Sequence, residues 1–204
     1  MKKNILIGLT LLAAHQASHA TLIGSELSVQ TLYQPTSTSP VETIGFLTTA
    51  TVVEPGVEFS SLASTEVINP PFGLQVIDVS INTGADYIDI DFDNANRFTA
   101  FGAAFKNGYM FTFDSDESIN ITGATIDSSV TTLGIINNDL AFLDNQLFVN
   151  VEGLIFNTST FARINLTSEL EASTVPLPGA AWLLGTGLIT LMGLKKYRPA
   201  IIPH

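Results

Sequence analysis

Asp86, Asp89, Asp91, Asp93 and Asn94, followed by Asp114, Asp116 and Glu117, are the densest run of side chains in the chain that could do chemistry. In an extended strand Asp89, Asp91 and Asp93 project from one face while Ile88, Ile90 and Phe92 project from the other, because the pleat alternates. Like charges at alternate positions repel unless a cation or water lies between them. Calcium is the natural ion for Asp89, Asp91, Asp93, Asp114 and Asp116, being a hard cation that prefers carboxylate and carbonyl oxygens. An EF-hand is excluded: counting from Asp89, Asn94 stands where glycine is required and Ala100 where glutamate is required. The competing reading is an acidic, solvated face of an edge strand, which discourages edge-to-edge association. Apart from calcium, no cofactor is expected.

Catalytic chemistry is narrowed by elimination. The chain has no cysteine, and its histidines are His15, His19 and His204, close to its two ends. Thiol catalysis, disulfides, a Ser-His-Asp triad and histidine-ligated zinc therefore have no residues to build on in the body. Paired carboxylates could hydrolyse glycosides, yet acids are plentiful here and nothing singles out a pair, so a non-enzymatic protein is expected. Phe92, Phe98, Phe101, Phe105, Tyr109, Phe111 and Phe113 form an aromatic run that could stack on sugars. No tryptophan accompanies them between residues 21 and 178, and phenylalanine lacks a polar rim, which favours a core role.

The elements that must position these residues read as strands. Apolar and polar residues alternate over 75–82, 87–93 and 147–152, the period of two that buries one face. Further strands are expected over 26–33, 44–53, 109–113, 119–126 and 161–166. Turn formers separate them: Pro70-Pro71, residues 82–86, Asn107-Gly108, residues 137–139 and Asp144-Asn145. Residues 21–167 are thus predicted to form one all-β domain, an antiparallel β-sandwich of jelly-roll or immunoglobulin-like type, with no long amphipathic helix. At 154 residues, the stretch 21–174 is long enough to bury well over half of its unfolded surface.

Charge is partitioned along the chain. Between residues 21 and 178 only Arg97, Lys106 and Arg163 are basic, whereas all 19 acidic residues lie there, a net of −16. Such a surface repels nucleic acid and anionic headgroups. The remaining cations sit at the ends: Lys2 and Lys3, then Lys195, Lys196 and Arg198.

Those ends read as targeting segments. Basic Lys2-Lys3, a mostly apolar 5–14, and the small residues Ser18 and Ala20 flanking His19 have the layout of a signal peptide over 1–20, cut after Ala20. Residues 168–178 form a polar, proline-containing linker. Residues 179–194, extended by 175–178, approach the roughly 20 residues needed to cross a membrane. Leu183, Leu184, Leu188, Ile189, Leu191 and Leu194 each favour insertion by about 0.3–0.6 kcal/mol, offset in part by glycines and threonines. Trp182 suits one interface; Lys195, Lys196 and Arg198 would stop transfer and stay cytoplasmic in a tail over 195–204.

The ordered set Val175-Pro176-Leu177-Pro178-Gly179, a short Gly/Leu-rich apolar segment and a basic cluster resembles the PEP-CTERM sorting signal of exported Gram-negative bacterial proteins, in its VPLPA-type variant. Leu177 stands where the family usually has glutamate, and Gly179 where it usually has alanine. The resemblance implies export by the Sec machinery with signal peptidase, transient anchoring in the inner membrane with the acidic domain periplasmic, and recognition of the proline motif by an exosortase. The destination it implies is the cell surface or the extracellular, exopolysaccharide-rich matrix of a biofilm. Residues 105–113, 121–126 and 147–154 resemble, more faintly, the β-rich ectodomain that often precedes this signal. Two functions follow as expectations: a non-enzymatic surface or matrix protein, or a calcium-dependent carbohydrate-binding module delivered by the same route.

Overall fold

A computed structural model describes residues 21–95, 99–114 and 119–170, with the backbone alone described at Asp114, Ile119, Asn120, Glu169 and Leu170. The strands in chain order are β1 (Glu26–Gln34), β2 (Glu42–Thr43), β3 (Thr48–Thr51), β4 (Ser80–Thr83), β5 (Tyr87–Asp91), β6 (Lys106–Asp114), β7 (Ile119–Ile126), β8 (Leu140–Leu143), β9 (Gln146–Asn150) and β10 (Phe161–Leu170). Three short 3-10 turns, at Leu62–Thr65, Pro71–Gly73 and Asn137–Asp139, are the only helical elements among the described residues. The described residues are all-β. Among the described residues no helix is long and apolar enough to cross a membrane, and the spanning segment expected over 179–194 lies outside them.

The strands make two antiparallel sheets. The larger runs β2-β1-β6-β9-β8, with β3 also paired to β1; the smaller runs β4-β5-β10-β7. Alternation explains which faces meet. Leu27 and Val29 of β1, Tyr109, Phe111 and Phe113 of β6, and Leu147 and Val149 of β9 are buried, together with Ile81 of β4, Ile88 and Ile90 of β5, and Ile164 of β10. All belong to one apolar cluster drawn from both sheets, a sandwich-like arrangement in which each sheet hides the face that the other would otherwise expose to water. Phe92, just past β5, completes the core against Phe101 and Phe156, with ring centroids 6.0 and 5.1 Å away.

Gly108 shows how tightly β6 and β9 approach. A Cβ there would come 1.9 Å from the Val149 carbonyl oxygen, so only glycine allows the ladder to close at this register.

Three expectations need correction. Of the strand expected over 44–53, only β3 pairs in a ladder; β2 precedes that stretch, pairing Thr43 with Leu32, β3 pairs Thr48 with Val29, and the chain between them holds two more residues than β1 supplies opposite. That surplus is a bulge, in which both the Ile44 and Gly45 N–H groups donate to the Thr31 carbonyl. Of the strand expected over 75–82, only β4 pairs in a ladder. The segment before it is held by loop contacts instead: Val76 N–H donates to Glu66, and Leu62 N–H to the Val79 carbonyl. The edge-strand reading of the acidic stripe also fails, because β5 lies inside its sheet, between β4 and β10.

Candidate functional site

The acidic stripe is organised by Arg163, a cation fifty-seven residues beyond Lys106, the basic residue that precedes it among the described residues. Residue pairing in the smaller sheet sets Arg163 of β10 directly opposite Asp89 of β5. Its Nε and Nη2 donate to the two carboxylate oxygens of Asp89, each at 2.7 Å, a bidentate fork. Asp89 is 7% exposed although it is on the face away from the shared core. The guanidinium also lies 4.3 Å above the Tyr87 ring, and the Tyr87 hydroxyl donates to Glu54. A chain of contacts, Glu54–Tyr87–Arg163–Asp89, thus crosses the outer face of the smaller sheet.

The electrostatics follow from these contacts. Accepting the fork, Asp89 holds the Arg163 guanidinium above its ordinary pKa. The hydrogen bond to Glu54 raises the Tyr87 phenol, because a carboxylate stabilises the protonated form. Asp127 stands one residue beyond the β7–β10 ladder, its N–H bonded to the Arg163 carbonyl. The Ser129 side chain, followed by the Ser129 N–H, donates to the Asp127 carboxylate and holds it below its ordinary range.

The remaining acids of the stripe do other things. Asp91 Oδ1 accepts the Asp93 N–H at 2.9 Å, turning the chain at the end of β5. Asp93 is exposed, and Asn94 donates to the Ser60 carbonyl. Asp114 ends β6 in the other sheet, paired in register with Glu26; its side chain, and Asp116, lie outside the described residues. Among the described residues no three acidic or imidazole groups come together in a way that could hold a metal ion. Both oxygens of Asp89 are engaged by Arg163, so an ion binding there would have to displace the guanidinium.

The aromatic run is mostly core, as its composition suggested: Phe92, Phe101, Tyr109, Phe111 and Phe113 are buried, and Phe105 is exposed beside the Lys106 ammonium. Phe98 lies outside the described residues. So do the signal residues Ser18 and Ala20, the motif Val175, Pro176, Leu177, Pro178 and Gly179, the anchor from Trp182 to Leu194, and Lys195, Lys196 and Arg198.

Arg163 is the functional-face residue that sequence reading missed. Its signal was scarcity, since one of three cations among 19 acids must find a carboxylate, but the choice of Asp89 depends on strand register. Comparison with protein-family models, with characterised proteins and with solved structures finds no match to this chain.

Proposed function

We propose that this is an exported, non-enzymatic surface or extracellular-matrix protein: an acidic β-sandwich module followed by a PEP-CTERM-type sorting signal. The observation that carries the reading is the order of features at the C-terminal side. A proline pair, Pro176 and Pro178, precedes an apolar segment over 179–194 and then Lys195, Lys196 and Arg198, while the −16 bulk of the chain lies on the other side of that segment. Proline at Pro176 and Pro178 disfavours α conformation in the residue before it, which would leave the motif extended and accessible to an exosortase at the outer side of the inner membrane. The basic cluster holds the far end in the cytoplasm.

Topology reporters test this arrangement. A periplasm-active reporter fused after Thr174 is expected to be active, and the same reporter fused after His204 inactive, with a cytoplasm-active reporter giving the opposite pattern. Activity of one reporter at both positions removes the proposal.

A further inference from the structure

An open sheet edge is a template for another strand, and most edges of this fold carry a device that blunts them. Along the outer side of β4, Phe59 and Ile81 exchange both backbone hydrogen bonds. The bulge next to β2 is covered by residues 65–67: Phe46 N–H donates to the Thr65 carbonyl and Val67 N–H to the Ile44 carbonyl. In β7, Ile126 N–H is taken by the Asn137 side chain, and the ladder with β10 shifts register between Thr167 and Ser168. Strand β8 is four residues long and lies between Asp139 and Asp144.

The outer side of β3 has none of these devices. Val52 turns both backbone groups towards the β1 side, its N–H donating to the Ser25 carbonyl and its carbonyl accepting from Gly24 N–H. Direction alternates along a strand, so Ala50 and Thr48 also face β1, whereas the backbone groups of Leu47, Thr49 and Thr51 face away. Among the described residues no hydrogen bond takes up those outward groups. Both limits of the open stretch are set by bonds already made, Phe46 N–H to Thr65 at one end and Val53 N–H to Glu58 Oε1 at 3.0 Å at the other. The stretch is also uncharged: residues 43–53 contain no acid or base, in a body whose net charge is −16. Thr49 and Thr51 are exposed, and Phe46 and Leu47, 56% and 58% exposed, add apolar surface beside them.

We propose that this edge pairs with the β3 edge of a second copy of the chain, antiparallel about a two-fold axis at Thr49, so that the larger sheets of the two copies become continuous. The bonds at its limits select one register. With Thr49 opposite Thr49 of the second copy, Leu47 falls opposite Thr51 and Thr51 opposite Leu47, and all three pairs can exchange both backbone bonds. Sliding by two residues in either direction sets an outward residue against Gly45 or Val53, whose N–H groups are already bonded within the chain. The side chains suit the same register, since a Thr–Thr pair stands at the axis and no acid meets its own copy across it. Charge separates this occupant from a foreign one. A partner drawn by the acidic surface would be cationic and would bind more weakly as salt rises, whereas two acidic copies pair better once salt screens their repulsion.

Disulfide trapping in the full-length protein tests the pairing, because the chain has no cysteine of its own to interfere. The Cα atoms of a hydrogen-bonded antiparallel pair lie about 5.5 Å apart, within the span of a disulfide. Oxidised with diamide, Thr49→Cys is expected to form a covalent dimer about tenfold faster than Thr158→Cys, whose cysteine stands in an exposed turn. Leu47→Cys and Thr51→Cys should each trap poorly alone, since like positions are about 13 Å apart along the strands, and efficiently when the two variants are mixed. Adding Thr49→Lys to both members of that mixture puts like charges across the axis and should abolish trapping without lowering the melting temperature, Thr49 being exposed. Raising the sodium chloride concentration should speed trapping at position 49. The readout is confined to β3, so association through residues 175–204 does not imitate it and the sorting proposal stands or falls separately. Trapping at position 49 no faster than at 158, Leu47→Cys alone reacting as fast as the mixture, or trapping that slows as salt rises overturns the pairing.

Discussion

Phe92→Ala is expected to be the most damaging single substitution in the described domain, lowering stability by about 3–5 kcal/mol. Phe92 is fully buried and sits where the alternation of β5 runs on into the turn that starts at Asp93. Its ring contacts Phe101 edge-on, at 87° between planes, and Phe156 at 5.1 Å; Phe101 and Phe156 themselves lie 4.9 Å apart. Truncation removes one corner of this triangle. The cavity left behind cannot collapse easily, because Phe101 and Phe156 are held by backbone: Phe101 N–H donates to the Leu154 carbonyl and Phe156 N–H to the Thr99 carbonyl. Urea unfolding followed by circular dichroism measures the loss as a shift in midpoint at unchanged slope. Phe92→Leu, which keeps most of the apolar volume, should recover more than half of it.

The second large effect is expected at Arg163. Arg163→Met strips the fork from Asp89 and leaves a carboxylate that is 7% exposed with its charge uncompensated. Removing one partner of a fully buried pair costs about 3–5 kcal/mol. The Arg163 side chain is 31% exposed, so water screens the pair in part and about 2 kcal/mol is expected. Combining Asp89→Leu with Arg163→Met should restore most of the loss, since an apolar cross-strand pair suits the same register. A double-mutant cycle by urea denaturation reads the coupling directly. Equal loss in the single and double variants would mean that Arg163 acts through its stack on Tyr87 and not through Asp89.

These two residues also show where sequence reading succeeds and where it stops. The alternation of Ile88, Ile90 and Phe92 against Asp89, Asp91 and Asp93 is a local property, and the structure puts the apolar set in the core as that alternation requires. The strands β1, β6, β7 and β10 cover the stretches where their patterns place them, and in β1 and β6 buried side chains alternate with less buried ones. The partner of Asp89 is another matter. Arg163 is 74 positions away in the chain, and only the register of β5 on β10 brings the two together. Strand β8 was invisible for a related reason: Leu140-Ala141-Phe142-Leu143 is apolar throughout, with no alternation, and its pairing to β9 is declared only by the turn at Asp144, whose φ is +54°. The bulge at Ile44–Gly45 arises from a count of residues between two pairings with β1. No composition or periodicity in that stretch announces such a mismatch.

The acidic stripe teaches the same lesson in charge. Residue types and spacing suggested either an ion site or a solvated edge. The fold puts the stripe on an inner strand, gives Asp89 a guanidinium, and uses Asp91 to turn the chain. The transport reading proposed above rests on the order of residues at 1–20 and 175–179 and on no feature of the described fold.

Mass spectrometry of the C-terminal peptide of surface-located protein tests the central claim most directly. The account predicts a mature end close to Pro178, with the apolar segment and Lys195, Lys196 and Arg198 gone. Surface material that still ends in Pro203-His204 would contradict it.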